Sequence, residues 1–294
     1  MRLGVAPHRL WPAREDELDG VLETARTAEE LGFDHVIASS HLLAGTAGVT
    51  PDPLVLLSAV AGATSRIGLV TSVLILPLYH PVVVAHQVAT LDRLSGGRLT
   101  LGVGTGWDTA EFDAAGVPFA GRGRRADEQL DIVRTLWRDE ADVRLGVRPR
   151  TPGGPPVWIG GHSDAALRRA LRHGDAWHGF GVDAAGLVEV RGRLAVLEER
   201  TGRDSARPLE LTVGLVLVPP GFEAAVRPSG WQLLGRAERR AGACGAGRAG
   251  RRRARLLLAV AAGRHRRAAR RARLGRSGDP PAVLRGMRVR PTLM

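Results

Sequence analysis

The sequence predicts an α/β fold of the (β/α)8 TIM-type barrel class, and three observations carry that expectation. Strand-like apolar runs alternate strictly with helix-period segments up to about residue 220, the pattern of parallel strands joined by helical crossovers. Several runs end in polar or glycine exits, such as Thr71-Ser72 and Gly102-Val103-Gly104-Thr105-Gly106, at the strand ends where barrels carry their chemistry. The length, 294 residues, suffices for one barrel with a full core.

Arg2 to Ala6 is a short apolar opening strand. From Glu15 to Leu31, Leu18, Val21, Leu22, Ala25, Ala28 and Leu31 keep a helical period behind an acidic first turn, and Gly32 stops the helix. Asp34 to Ser39 is the second strand, Pro53 to Ala63 a helix, and Ile67 to Ile75 the third strand. Pro81 to Leu94 is a helix ended by Ser95-Gly96-Gly97, and Arg98 to Val103 the fourth strand. Arg125 to Arg138 is helical, with Leu130, Ile132, Val133, Leu136 and Trp137 as its apolar face. After a Pro/Gly-rich crossover, Val157 to Gly161 is the fifth strand, and Ser163 to Leu171 a helix capped by Ser163 and Asp164. Asp175 to His178 is the sixth strand, Leu187 to Glu199 a helix, and Leu209 to Val218 the seventh strand. An eighth unit is expected after Pro220.

The formal charge of +12 is unevenly spread. Residues 1–221 hold 23 Arg against 27 acids, residues 222–294 hold 19 Arg against 3, and lysine is absent. An enzyme-like barrel domain, residues 1–222, therefore precedes an Arg/Ala/Gly-rich tail, residues 223–294. Three readings of the tail stay open. It is a shifted reading frame, a solvated disordered segment, or a basic arm for nucleic-acid phosphates. The shifted frame is preferred. An arginine codon read one base later gives Val, Ala, Asp, Glu or Gly, so Arg251 to Arg255 then permits the strand-like V-D-E-L-V. On that reading the eighth strand–helix unit is lost to a non-native tail. The tail lacks interleaved aromatics and any recognisable binding module, so nucleic acid is not an expected partner.

The single cysteine, Cys244, excludes a disulfide framework and a CxxC metal site. No leader pattern occurs and no apolar run approaches about 18 residues, so a cytoplasmic protein with no membrane partner is expected. The histidines 41, 80, 162 and 178 show no metal-ligand spacing, and no metal is expected. No G-x-S-x-G occurs, so a serine nucleophile is unsupported. Gly102, Gly104 and Gly106 lack the spacing of a dinucleotide fingerprint. Gly160-Gly161-His162 before the Ser163 cap reads equally as an anion-binding helix start or as a plain strand–helix turn. Arg122, Arg124 and Arg125 are read as a solvated helix start or as contacts for an anionic tail.

Six segments, in order and spacing, resemble the bacterial luciferase-like superfamily, in particular its deazaflavin-dependent (coenzyme F420) oxidoreductase branch. They are Ser39-Ser40-His41-Leu42, Thr71 to Pro77, Ala89 to Arg98, Leu101 to Trp107, Trp158 to Gly161 and Gly174 to His178. The resemblance covers about three quarters of the chain. It implies a luciferase-like barrel with the cofactor ring across its carboxyl-terminal mouth, and a non-prolyl cis peptide at Ser72-Val73 backing that ring. It implies His41 as the catalytic residue, and Ser40, Ser72, Val73, Gly104, Thr105, Gly106, Gly160, Gly161, His162 and His178 as cofactor contacts. Ser40 departs from the usual Asp before the histidine. Trp107 stands where sugar-phosphate dehydrogenase relatives carry a catalytic Glu, which points to a more apolar substrate. The implied activity is hydride transfer between F420 and a small organic substrate; a homodimer is the one assembly entertained, and the sequence does not fix the oligomeric state. The alternatives are an FMN-dependent monooxygenase using oxygen, and a non-catalytic basic protein that binds nucleic acid through its tail.

Overall fold

The computed structural model describes residues 2–8, 15–44, 48–201, 208–217, 233–234 and 254–260. The elements in chain order are β1 (Leu3–Val5), α1 (Val21–Glu30), β2 (His35–Ala38), α2 (Pro53–Ala63), β3 (Gly68–Thr71), β4 (Leu74–Ile75), α3 (Pro81–Leu94) and β5 (Leu99–Gly104). They continue with α4 (Thr109–Ala114), α5 (Arg122–Arg138), β6 (Val157–Gly160), α6 (Asp164–His173), β7 (Ala176–Phe180), α7 (Ala184–Thr201), β8 (Glu210–Leu217), β9 (Leu233–Leu234) and β10 (Ala254–Val260). All pairings are parallel, as strict strand–helix alternation requires.

The sheet runs β1-β2-β3-β5-β6-β7-β8, and β10 joins its two ends. Leu3 pairs with Leu256 on one side of β10, and Leu211 to Leu217 pair with Ala254 to Val260 on the other. This corrects one expectation: the strand of the eighth unit is present. Its run Ala254-Arg255-Leu256-Leu257-Leu258-Ala259-Val260 is nearly continuous in apolar residues, as a strand with partners on both edges should be, although arginines crowd around it in sequence. The rest of the 223–294 segment, β9 aside, lies outside the described residues.

Side-chain alternation sets two apolar layers. Val36, Leu69, Val157, Ile159 and Trp177 face the helices and join Leu57, Val60, Val84, Val88, Leu130, Val133 and Leu167 in the main core. Ile37, Val70, Trp158 and Ala176, each one residue out of phase, meet Ala6 inside the barrel. The same alternation places His178 and Thr212 inside, with His178 stacked on Trp158 at 5.8 Å.

Two elements differ from expectation for local reasons. The helix expected over Glu15–Leu31 breaks into a short 3-10 turn, Glu15–Leu18, and α1, because Gly20 takes a left-handed φ of 78° between them. The expected third strand is two strands, β3 and β4, separated at Ser72-Val73, which is a cis peptide.

At the amino-terminal end of the barrel, acids and one arginine secure the strand starts. Asp34 accepts from Leu3 N at 2.7 Å and Asp175 from Val157 N at 2.8 Å, the same device on two strand pairs. Glu29 accepts from the backbone N–H groups of Ser65, Arg66 and Ile67. Burial pushes its carboxyl up, but those three bonds outweigh it and hold the carboxyl at about 2. Arg98 donates to the carbonyls of Ser95, Ile67, Ala61 and Thr64 and to the Thr64 hydroxyl. Asp92, fully buried, accepts from Thr151 N and Oγ1 at 2.7 and 3.0 Å. The segment Ala89 to Arg98, which carried part of the family resemblance, is therefore a clamp on the barrel floor.

Candidate active site

The mouth is built around the break between β3 and β4. Thr71 Oγ1 donates to Gly102 O at 2.7 Å, and Ser72 N to Ala38 O at 2.7 Å, so the bulge is tied to both neighbouring strands. Val73 then covers two of the predicted glycines. A Cβ at Gly104 would lie 2.7 Å from a Val73 methyl, and one at Gly160 would lie 3.1 Å from the other. Gly102 has no room either, because its Cβ would fall 2.0 Å from Thr71 O. The bulge therefore leaves no room for a side chain at any of these positions. Thr105 is half-buried between Gly104 and Gly106. Gly106 turns with a φ of 74° against Ile75 and Phe112.

Ser72 opens a directed hydrogen-bond chain. Thr212 Oγ1 gives its proton to Trp177 O at 3.1 Å, so it accepts from His178 Nδ1 at 2.8 Å. His178 Nε2 is then bare and accepts from Ser72 Oγ at 3.0 Å. Burial, with a smaller contribution from His162, pushes the His178 imidazole down to about 4, so the ring is neutral at physiological pH. Ser72 has spent its proton inward. Its remaining lone pairs are the polar feature it brings to a cavity of about 20 Å³ lined also by Ala6, His8, Ile37, Ser39, Phe180 and Gly214.

His41 follows β2 on the opposite side of the mouth. Its Nδ1 lies 3.1 and 3.3 Å from the two carboxylate oxygens of Glu111. Glu111, 1% exposed, also accepts from Leu42 N at 2.6 Å and Leu43 N at 3.5 Å. Trp107 lies edge-to-face on the His41 ring with centroids 5.8 Å apart, and is itself 58% exposed. Leu42 and Leu43 are exposed beside it, so the rim around His41 is apolar. Sequence reasoning missed Glu111 and α4 altogether. The available signal was Asp108-x-x-Glu111, the spacing of a helix capping box. Asp108 does cap α4 through Ala110 N at 3.0 Å, while Glu111 reaches across to His41.

The remaining predicted contacts are placed less simply. Ser40 is buried next to the Tyr79 phenol, which donates to Asp52 at 3.0 Å; burial first and that carboxylate second push the phenol up. Gly161 has a φ of 125°, and His162 packs edge-on against Trp177 at 6.1 Å. Partial burial, and then Arg193, hold the His162 ring below its ordinary value. Arg193, the cation near this helix start, is engaged by Asp164 at 2.6 Å and by His162 O at 2.8 Å. Arg122 donates to Gly106 O at 3.1 Å and braces the exit loop; Arg125 donates to Pro118 O at 2.9 Å in the α4–α5 connection, and Arg124 pairs with Glu128. Among the described residues no cluster of potential metal ligands occurs, and no helix is long and apolar enough to cross a membrane.

The family model described as luciferase-like monooxygenase matches residues 3–289. Among curated proteins, an uncharacterised protein of Mycobacterium tuberculosis is 37% identical over 173 residues, which are 55% of this chain and 58% of that protein. The 4-hydroxyprotoasukamycin monooxygenase of Streptomyces nodosus subsp. asukaensis is 34% identical over 174 residues, 55% of this chain and 47% of that enzyme. These matches span about half the length of the curated relatives. Among solved structures, the monooxygenase RslO1 of Streptomyces bottropensis superposes with a TM-score of 0.65 at 26% identity, over 76% of this chain and 74% of that one. An F420-dependent secondary alcohol dehydrogenase has a TM-score of 0.63 at 21% identity, over 76% of this chain and 72% of that one, a likeness of fold.

Proposed function

The chain belongs to the luciferase-like monooxygenase family, and from that premise we propose that it transfers a hydride between coenzyme F420 and a small, largely apolar organic substrate. The residues fit such a ring on one observation. The Ser72 hydroxyl, its proton committed to His178, is an acceptor in a wall shared with Ala6, Ile37 and Phe180 and with the polar His8 and Ser39. A hydroxyl acceptor whose proton is already committed suits the N–H edge of a flat heteroaromatic ring. The cavity holds no more than a water-sized molecule, so a ring would lie across the mouth above it.

When bound, the deazaflavin supplies a two-electron hydride acceptor or donor. The chain's own residues supply the rest. Hydride loss from an alcohol releases a hydroxyl proton, and His41 is the group in this mouth suited to take it. Glu111 anchors the inner edge of His41, and Trp107, Leu42 and Leu43 give an apolar rim against which an alkyl or aryl substrate body can lie. The carrying observation is this pairing of a half-buried histidine on a buried carboxylate with an apolar rim. Neutral His178 and Ser72 orient the ring and move no proton.

A second reading, an FMN-dependent monooxygenase, is favoured by the relatives named as monooxygenases. Rapid mixing separates the two. The full chain with reduced FMN is mixed with oxygenated buffer, and in parallel with oxidised F420 and a panel of secondary alcohols. Reduction of F420 with no oxygen-dependent FMN transient supports hydride transfer. An accumulating oxygen-dependent FMN transient, with F420 left unreduced, replaces it with the monooxygenase.

A further inference from the structure

His41 and Glu111 carry more than proximity. A carboxylate offers lone pairs only, and this one already receives the Leu42 N–H at 2.6 Å on the oxygen that sits 3.1 Å from His41 Nδ1. The proton between His41 and Glu111 therefore belongs to the imidazole. Glu111 cannot rotate to offer anything else, because it is 1% exposed and also held at 3.5 Å by Leu43 N. The face of the ring is fixed independently by Trp107, edge-on at 5.8 Å. Nε2, on the far edge of the ring, has no hydrogen-bond partner among the described residues.

From this geometry we infer that Glu111 is a positioning residue that locks His41 as the Nδ1–H tautomer and leaves a bare Nε2 lone pair at the mouth. The inference rests on His41 being the proton partner, and it adds a direction. The resting enzyme is set to accept a proton from a substrate hydroxyl, so it is poised for oxidation of an alcohol more than for reduction of a carbonyl. In the step itself the O–H bond breaks, the proton joins Nε2 and the imidazolium charge is balanced by Glu111; a deazaflavin held at the mouth would take the C–H electron pair as hydride. Leu42 and Leu43 add a second consequence. Their N–H groups make the carboxylate's orientation a property of the backbone after β2, so His41 and its own anchor move as one unit.

The test reads the tautomer directly, without cofactor or substrate. Long-range proton–nitrogen NMR on the full chain labelled in histidine distinguishes a protonated from a bare ring nitrogen, and His41→Asn identifies the His41 signals by their loss. The expected result is a protonated Nδ1 and a bare Nε2 in the wild type. Glu111→Gln must keep its carbonyl on Leu42 N–H and so turns its amide N–H₂ to His41; the expected result is a switch to the Nε2–H tautomer. A protonated Nε2 in the wild type, or an Nδ1–H tautomer that survives Glu111→Gln, overturns the inference. If Glu111→Gln does not fold, the wild-type Nδ1–H proton is followed instead. Slow exchange and a downfield resonance support a carboxylate bond, and fast exchange overturns it. With an alcohol substrate, Glu111→Gln should lower kcat about 10²-fold while KM stays within about threefold, and Glu111→Asp should recover part of kcat. Full turnover by His41→Asn would instead sink the reading of the reaction and leave the tautomer result standing.

Discussion

The two ends of the barrel use the same residue types in opposite ways. On the floor, Asp34, Glu29, Asp92, Asp175 and Arg98 direct most of their hydrogen bonds at backbone groups, fixing where strands begin. At the mouth, His41 with Glu111, and Ser72 with His178, bond side chain to side chain and leave Nε2 of His41 and the lone pairs of Ser72 open. A saturated polar group can only hold a fold together. A group saturated on one edge and open on the other can hold a fold and also act. The Ser-Gly-Gly-Arg segment looks as much like a functional motif as the glycine exit loop does, yet its arginine spends five hydrogen bonds on structure.

The largest effect should come from removing residues 223–294. Deletion takes away β10 and exposes the edges of β1 and β8, and unpaired edges invite association. The truncated chain should aggregate on size-exclusion chromatography and lose its cooperative melt. A soluble, monodisperse product with an unchanged melt would mean that β10 does not close the barrel.

Next, His41→Ala should lower turnover about 10²–10⁴-fold with an unchanged circular dichroism spectrum, since one edge of the ring is open. Arg98→Ala should do the reverse. It leaves several carbonyls without donors and should cost about 2–4 kcal/mol in urea unfolding, while kcat per folded molecule stays at the wild-type value. Equal losses of activity per folded molecule in both variants would erase the distinction between floor and mouth.

Acid should unfold the two ends in sequence. His178, at about 4 against an ordinary 6.5, favours its neutral form in the fold, so its contribution is complete above pH 6.5 and is lost as pH falls from 6.5 to 4. Glu29, at about 2 against an ordinary 4.5, contributes fully above pH 4.5 and is lost as pH falls from 4.5 to 2. Melting temperature against pH should show the upper window vanish in His178→Gln and the lower window shrink in Glu29→Gln. The Glu29 effect should be the smaller, since its carboxylate is near the surface and screened. Loss of the upper window in Glu29→Gln would contradict the assignment.

Much of this was legible in the residues. α2 and α3 match their expected bounds, Pro53–Ala63 and Pro81–Leu94, because proline starts and periodic apolar faces fix both. Gly20 broke the expected first helix because a glycine inside an apolar period reads as tolerated until its φ is known. The positions of Gly104 and Gly160 were legible, but Val73, the residue they make room for, lies on another strand, and no spacing within one segment reports a neighbour across a sheet. Glu111 was hidden for the same reason: it meets His41 across 70 residues of chain. Thr212 likewise sits 34 residues from the imidazole it orients. β10 was masked by the arginines around its leucines.

The most direct measurement is a fluorescence titration of coenzyme F420 into three full-length proteins: wild type, Ser72→Ala at the mouth, and Thr151→Ala on the floor. The expected result is saturable binding by the wild type, affinity about tenfold weaker in Ser72→Ala for the loss of one buried acceptor, and wild-type affinity in Thr151→Ala. Equal weakening in both variants, or no change in Ser72→Ala, would contradict the mouth as the place where the cofactor binds.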